Sequence, residues 1–161
     1  MEAILFYILA AVTLIGTMCA ITARQAVRAI VYLVTSFFAL ALIFYLLGAP
    51  LVAAFEVIIY AGAIMVLFLF VIMMLELGRP EKLAVPRFSD WWPAVLLMAV
   101  VTGAVVVIAA VSQPAPPAGF AGITVREFAG TLFQRYGVAV EVISMQLLFA
   151  LVGALYLGRR R

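Results

Sequence analysis

The chain has 161 residues, of which 69% are hydrophobic and 11% are charged, and its mean hydropathy is +1.32. Soluble domains are about 45–50% apolar and about 25% charged, so this composition indicates a membrane protein without a sizeable extramembrane domain. The net charge is +3, and the chain has no histidine and one cysteine, Cys19. This census excludes histidine-ligated haem, histidine-based zinc sites, an internal disulfide and an iron–sulfur cluster held by this chain alone.

Five stretches are apolar and long enough to cross a bilayer, whose hydrocarbon core of about 30 Å takes about 20 residues of helix. They are residues 3–22, 29–47, 51–75, 91–111 and 138–157. We therefore expect an all-α integral membrane protein that forms a single membrane domain over residues 1–161.

The basic residues predict the orientation of these spans. Eight of the ten lie on one side of the predicted membrane: Arg24, Arg28, Arg79, Lys82, Arg87, Arg159, Arg160 and Arg161. The other two, Arg126 and Arg135, lie on the opposite side. Lysine and arginine concentrate on the cytoplasmic side of membrane proteins. The pattern predicts an outer N-terminus and a cytoplasmic C-terminus.

A short helix is predicted in the outer loop before the last span. Thr124 and Glu127 have the spacing of a capping box, in which each side chain bonds to the backbone of the other residue. Apolar residues follow at helical spacing: Val125, Phe128, Leu132, Phe133 and Tyr136. Two interpretations remain open, an amphipathic helix at the outer interface and a loop helix that only seals the bundle.

Two acidic residues, Glu56 and Glu141, lie inside predicted spans. Both are a few residues from the outer ends of their helices. Because an ionisable group inside a bilayer is unfavourable, each is a candidate functional residue. They could carry protons, or they could form hydrogen bonds to neighbouring helices.

The third span has the most distinctive sequence. It is about 25 residues long, more than a straight crossing needs. Glu56 and Tyr60 are four residues apart and are predicted to share a helix face. The small residues Ala61, Gly62 and Ala63 either allow a close helix contact or mark a bend or π-bulge.

This span resembles a known family. Residues 55–63 read FEVIIYAGA and residues 66–75 read VLFLFVIMML, which closely resembles the third transmembrane helix of the subunit J family of the bacterial proton-pumping NADH:quinone oxidoreductase. This enzyme is respiratory complex I, and the mitochondrial counterpart of the family is subunit 6. Residues 136–144, YGVAVEVIS, resemble the start of the family's final helix. The chain departs from the family pattern at residues 24–29, which lack an Asn-Pro pair, and at Gln146.

The resemblance implies a specific role. The family's third helix carries a π-bulge at the positions of Tyr60 and Gly62, and its conversion to a regular helix is thought to gate a water path for protons. Glu56 and Glu141 match acidic positions of the family. The implied protein is a non-redox subunit of the membrane arm, with no catalytic centre, metal or cofactor of its own. NADH, FMN, iron–sulfur clusters and quinone would be bound by other subunits.

The resemblance also implies partners and a location. The partners would be the lipid bilayer and other membrane-arm subunits, including the quinone-site and antiporter-like subunits, with no nucleic acid. The location would be the bacterial cytoplasmic (inner) membrane, in which the chain is multi-pass. Two other functions remain open from the residues alone. One is a stand-alone homo-oligomeric ion channel or small transporter, and the other is a structural subunit of a related membrane dehydrogenase or hydrogenase.

Overall fold

The computed structural model describes residues 2–76, 92–111 and 124–159, and these residues are helical apart from short turns. The helices are α1 (Glu2–Thr22), α2 (Ala26–Leu46), α3 (Pro50–Phe55), a π-helical segment (Glu56–Ile64), α4 (Met65–Glu76), α5 (Trp92–Val111), α6 (Val125–Arg135) and α7 (Gly137–Gly158). The chain divides into two compact units, Met1–Gly122 and Ile123–Arg161, and each is described by itself.

The described residues contain five helical stretches whose length and composition suit a membrane crossing. They are Ala3–Thr22, Ala26–Leu46, Pro50–Leu75, Trp92–Ala110 and Gly137–Gly158. The five predicted spans are therefore confirmed as helices. Among these helices, α2 has the start that differs most from its predicted first residue. This helix begins three residues before the prediction, because the charged Arg28 lies inside its first turn and bonds through Nε to Gln25 Oε1 at 2.7 Å. Trp91, the first residue of the fourth predicted span, lies outside the described residues.

The helix α2 is the centre of the first unit, since it contacts α1, α3, α4, α5 and the π-helical segment. Its buried residues meet those of α1 and α5 in one apolar core. This core comprises Leu9, Val12, Tyr32, Ala39, Ile43, Ala94, Leu97, Val101 and Ala104. Most other apolar side chains of the unit point outward, as expected for helices that meet lipid or partner helices instead of water.

The contact between α1 and α2 is close and includes hydroxyl groups. A Cβ atom added to Gly16 would lie 3.3 Å from both Ser36 Cβ and the carbonyl oxygen of Tyr32. The Ser36 hydroxyl donates to the carbonyl oxygen of Thr13 (3.0 Å), and its oxygen is 3.0 Å from that of Thr17. Small residues let membrane helices approach, and hydroxyl groups can then bond across the interface. Gly16 is therefore a small residue that permits this close contact.

A tight turn joins α2 to α3. Gly48 has a φ of 79°, which glycine adopts at no steric cost. The backbone N–H groups of Leu47, Gly48 and Ala49 all donate to carbonyl oxygens near the end of α2, at 3.0 to 3.1 Å. Pro50 then occupies the start of α3, where its missing N–H group would have no helical partner. The turn holds the N-terminal end of the third span against α2.

The second unit consists of α6 and α7. Both bonds of the predicted capping box are present, since Thr124 Oγ1 accepts from the Glu127 N–H group (3.3 Å) and Glu127 Oε2 accepts from the Thr124 N–H group (3.0 Å). The backbone N–H and the hydroxyl group of Thr124 both donate to Glu127 Oε2 and hold the pKa of the Glu127 carboxyl below its ordinary value. The predicted cap and a short helix after it, Val125–Arg135, are therefore present.

Candidate functional site

The third span is one helical stretch, Pro50–Leu75, with a π-helical segment in its middle. This segment runs from Glu56 to Ile64 and includes Tyr60 and Gly62. The π-helix, with its i→i+5 hydrogen bonds, is rare and is often found at functional sites. Of the two sequence interpretations of the small residues 61–63, the structure has the π-helical one.

The environment of Gly62 is formed by its own helix. A Cβ atom built on Gly62 would lie 3.2 Å from the carbonyl oxygen of Val57, five residues earlier. Five residues is the spacing of π-helical hydrogen bonds, so this contact lies within the helix itself. No other atom of the described residues outside its own helix backbone and chain neighbours would come within 4 Å of that Cβ atom. Within the first unit, Gly62 therefore does not serve a close contact with another helix.

The π-helical segment changes which residues of the third span face the unit's interior. The buried residues are Ala53, Glu56, Ala61 and Met65, at intervals of three, five and four residues. A regular α-helix repeats its face every three or four residues, so the five-residue interval marks the π-helical step. The sequence predicted that Glu56 and Tyr60 share a face, but Glu56 is 9% exposed and Tyr60 is 47% exposed. Ala61 takes the buried position instead.

Glu56 is the most buried charged residue of those described. It begins the π-helical segment, with α-helical φ and ψ of −57° and −48°. In the described part of the chain its carboxylate makes no ion pair and no hydrogen bond. A carboxyl group in such a place can hold or pass a proton, because both of its oxygens remain able to bond to water or to a partner.

The Tyr60 ring leaves the third span and packs on α2. Its centroid lies 5.5 Å from that of Phe37, with an angle of 49° between the rings. Aromatic pairs at 4.5 to 7 Å attract each other beyond their apolar contact. Sequence reasoning missed Phe37, because its pairing depends on the π-helical register and not on a spacing within α2.

A groove of about 410 Å³ lies beside the buried residue Ala61. It is bounded by α2, the π-helical segment, α4 and α5, and its lining is almost entirely apolar. Lining residues include Val34, Thr35, Met65, Val95 and Met98. The Thr35 hydroxyl donates to the carbonyl oxygen of Val31 at 2.9 Å, which leaves its oxygen able to accept a bond.

Three of the four candidate residues lie together on one segment. Glu56, Tyr60 and Gly62 all belong to the π-helical segment. Glu141 lies near the start of α7, in the second unit, and it is exposed in that unit. Among the described residues, there is no group of three histidine, cysteine, aspartate or glutamate residues that could hold a metal ion.

Five long apolar helices define a multi-pass membrane protein. Residues 16–157 match the family model of NADH-ubiquinone/plastoquinone oxidoreductase chain 6. The chain is 38% identical to the NADH-quinone oxidoreductase subunit J of Pseudomonas aeruginosa, over 96% of this chain and 95% of the relative. It is 36% identical to subunit J of Escherichia coli strain K12, over 96% of this chain and 85% of the relative. For subunit J of Buchnera aphidicola subsp. Schizaphis graminum the identity is 34% over 97% of both chains.

The chain therefore belongs to the subunit J (chain 6) family of NADH-quinone oxidoreductase, respiratory complex I. The resemblance found in the third and fifth spans is confirmed at the level of the family. As a member of this family, the chain is a subunit of that oxidoreductase, with other subunits of complex I as its partners.

Proposed function

We propose that this chain lies in the membrane arm of a proton-pumping complex I and that its π-helical segment gates a water path for protons. The segment would alternate between the π-helical and the regular α-helical register. One register would join the acidic channel near the quinone site to the antiporter-like subunits, and the other would interrupt it. In this proposal Glu56, Tyr60 and Gly62 act at the gate, and Glu141 contributes to the path from the last helix.

The observation that carries this proposal is the position of Glu56, buried at the first residue of a π-helical segment in the middle of a membrane span. A gate needs two arrangements of similar free energy. A π-helical stretch suits such a gate, because its backbone differs from a regular helix by one step in the hydrogen-bond register. A register change turns one half of the helix against the other, and it can move side chains into or out of a path without unfolding the span.

The remaining features of the proposal concern location and chemistry. We place the chain in the bacterial cytoplasmic membrane, with its N-terminus outside, its C-terminus in the cytoplasm and α6 at the outer interface. The distribution of lysine and arginine supports this orientation. The chain would contribute no redox centre, and NADH, FMN, iron–sulfur clusters and quinone would be bound by other subunits. The absence of histidine and the single cysteine in the sequence support this division of roles.

The first experiment tests the assignment to the complex. A C-terminal tag on this chain allows gentle solubilisation, native electrophoresis and mass spectrometry of the proteins that co-migrate. We expect a large assembly with antiporter-like and quinone-site subunits and with NADH:quinone reductase activity. Recovery as a small homo-oligomer would contradict the proposal and favour a stand-alone channel.

The second experiment tests the proton path. Glu56→Gln keeps the size of the side chain and removes its ionisable proton. If Glu56 passes protons or orders water, the assembled complex with Glu56→Gln turns over more slowly, and the pH dependence of its rate changes. Glu141→Gln tests the second acid in the same way. Wild-type turnover and pH dependence in the Glu56→Gln complex, at equal assembly, would leave Glu56 with a packing role.

A further inference from the structure

The two registers of the third span place different residues at the position that Ala61 now occupies. In the structure the buried positions run from Ala53 through Glu56 to Ala61. A regular helix that starts from the same Ala53 would continue at position 60, because its face repeats every three or four residues. The residues after the π-helical segment would turn by one helical position, about 100° for 3.6 residues per turn. Tyr60 would then replace Ala61.

The C-terminal half of the span is the half that is able to turn. The N-terminal end is held by the turn around Gly48, whose backbone bonds join it to the end of α2. By contrast, side chains of α4 beyond Met65 are almost all exposed in the first unit, including Val66, Leu67 and Phe68. Few packed contacts of this unit would have to break when α4 turns.

The position of Ala61 adjoins a groove that suits the Tyr60 ring. Cavities of about 300–1,000 Å³ hold drug-sized ligands, so a groove of about 410 Å³ accepts one phenol ring. Its apolar lining suits the ring, and Thr35 Oγ1 offers an acceptor for the phenol hydroxyl group. In the present register the ring lies outside this groove, against Phe37.

We propose that Tyr60 occupies two alternative positions, against the Phe37 ring in the π-helical register and inside the groove in the regular register. Phe37 is then a positioning residue that favours the π-helical register, and the open groove beside Ala61 is what permits the regular one. Because α2 packs closely on α1 through Gly16 and the hydroxyl group of Ser36, the part of α2 that carries Phe37 is held in place. This inference rests on the proposed gate and names the residues that set its balance.

The test compares variants of the complete complex by cryo-electron microscopy, which reads the register of the third span and the position of the Tyr60 ring directly. Phe37→Ala removes the first position and should raise the ratio of regular to π-helical particles roughly two- to tenfold, the effect of losing one aromatic pair. Val95→Phe adds a ring to the groove and should lower that ratio. Protons pumped per electron are measured on the same preparations.

Matched controls are available within the chain. Phe6→Ala removes one ring of the other aromatic pair, in which Phe6 and Tyr7 lie 5.7 Å apart on α1. Val106→Phe adds the same ring as Val95→Phe at a position of equal exposure on α5, 61% in both cases, away from the groove lining. Neither control should change the ratio of the two registers.

The outcomes separate this inference from the proposed gate. The inference about Tyr60 is overturned if the ratio of registers is unchanged in both Phe37→Ala and Val95→Phe, or if every variant is entirely π-helical. It is also overturned if the Tyr60 ring lies outside the groove in particles whose third span is a regular helix. If the ratio and the ring position change as expected while protons pumped per electron do not, the two positions of Tyr60 stand and the gate fails. If Gly62 variants alter pumping while Phe37→Ala leaves the register unchanged, the gate stands and the role of Phe37 fails.

Discussion

Gly62 offers the sharpest test of the π-helical segment, because glycine lowers the cost of changing the hydrogen-bond register of a helix. In the π-helical register the Cβ atom of Gly62→Ala would lie 3.2 Å from the carbonyl oxygen of Val57, five residues earlier in the same helix. In a regular helix the carbonyl group four residues earlier takes this place, so a single methyl group meets its own helix in both registers. A β-branched side chain is stiff against the preceding turn and should not fit the two registers equally well.

The magnitude follows from comparing two folded states. The gain from restricting the unfolded chain, which normally favours alanine over glycine, is common to both registers and cancels. What remains is the difference in crowding between the two registers, which is small for the one methyl group of Gly62→Ala. Gly62→Val adds two further methyl groups, for which about 1 kcal/mol is the lower end of the overpacking range. A difference of about 1 kcal/mol changes a population ratio about fivefold.

The assay is the number of protons pumped per electron in membrane vesicles that contain the assembled complex. A gate that works in a cycle needs both registers, so favouring one of them should reduce pumping per electron in Gly62→Val, and Gly62→Ala should reduce it less. Assembly should be affected less than pumping. The control is Gly103→Ala, where the added Cβ atom meets nothing within 4 Å among the described residues outside its chain neighbours and its own helix backbone. Wild-type pumping per electron in Gly62→Val would refute the gate role of Gly62.

Two further predictions concern other parts of the chain. Gly16→Val should weaken the packing of α1 on α2 by about 1–3 kcal/mol, because the Cβ atom of the new side chain meets α2 at 3.3 Å. The assembled complex with Gly16→Val should then lose activity at a lower temperature than the Gly103→Val control. Equal thermal stability of the two variants would contradict the close packing. The pKa of the Glu127 carboxyl is lower in the folded helix than in the unfolded chain. The stabilisation that the ionised carboxylate gives to the start of α6 is therefore complete above the ordinary glutamate pKa of about 4, and it is lost as the pH falls through the lower pKa of the folded helix. Amide hydrogen exchange, corrected for its intrinsic pH dependence, should show this loss in wild-type α6 but not in Glu127→Gln, and a pH-independent wild-type helix would contradict the capping bond.

The sequence was sufficient for the helices because their causes are local or depend on the solvent. Apolar runs of about 20 residues have the length of a membrane-spanning helix, which satisfies its own backbone groups where there is no water. The capping box of Thr124 and Glu127 involves residues three positions apart, so it could be recognised from spacing alone. The start of α2 was predicted three residues too late, because hydropathy follows the charge of Arg28 and not the backbone bonds of the first turn.

The candidate site was only partly predictable from the sequence. The small residues 61–63 permitted either close packing or a π-helical step, and spacing cannot choose between them, because the choice depends on tertiary contacts. An α-helical periodicity therefore assigned Tyr60 to the face of Glu56, and the five-residue interval to Ala61 overturned that assignment. The pairing of Phe37 with Tyr60 and the groove beside Ala61 could not be predicted for the same reason, since both follow from the register.

The distribution of packing in the first unit explains why a conformational change would occur in the third span and not in its neighbours. The pair of α1 and α2 is joined by the close approach at Gly16 and by the hydroxyl groups of Thr17 and Ser36, and shifting these helices would break both at once. Such packed interfaces do not deform gradually. The π-helical segment has no comparable bonds to another helix among the described residues, and beyond it α4 is mostly exposed. The unit thus joins a closely packed pair of helices to one span that is lightly packed beyond its π-helical segment, which is the arrangement that the proposed gate requires.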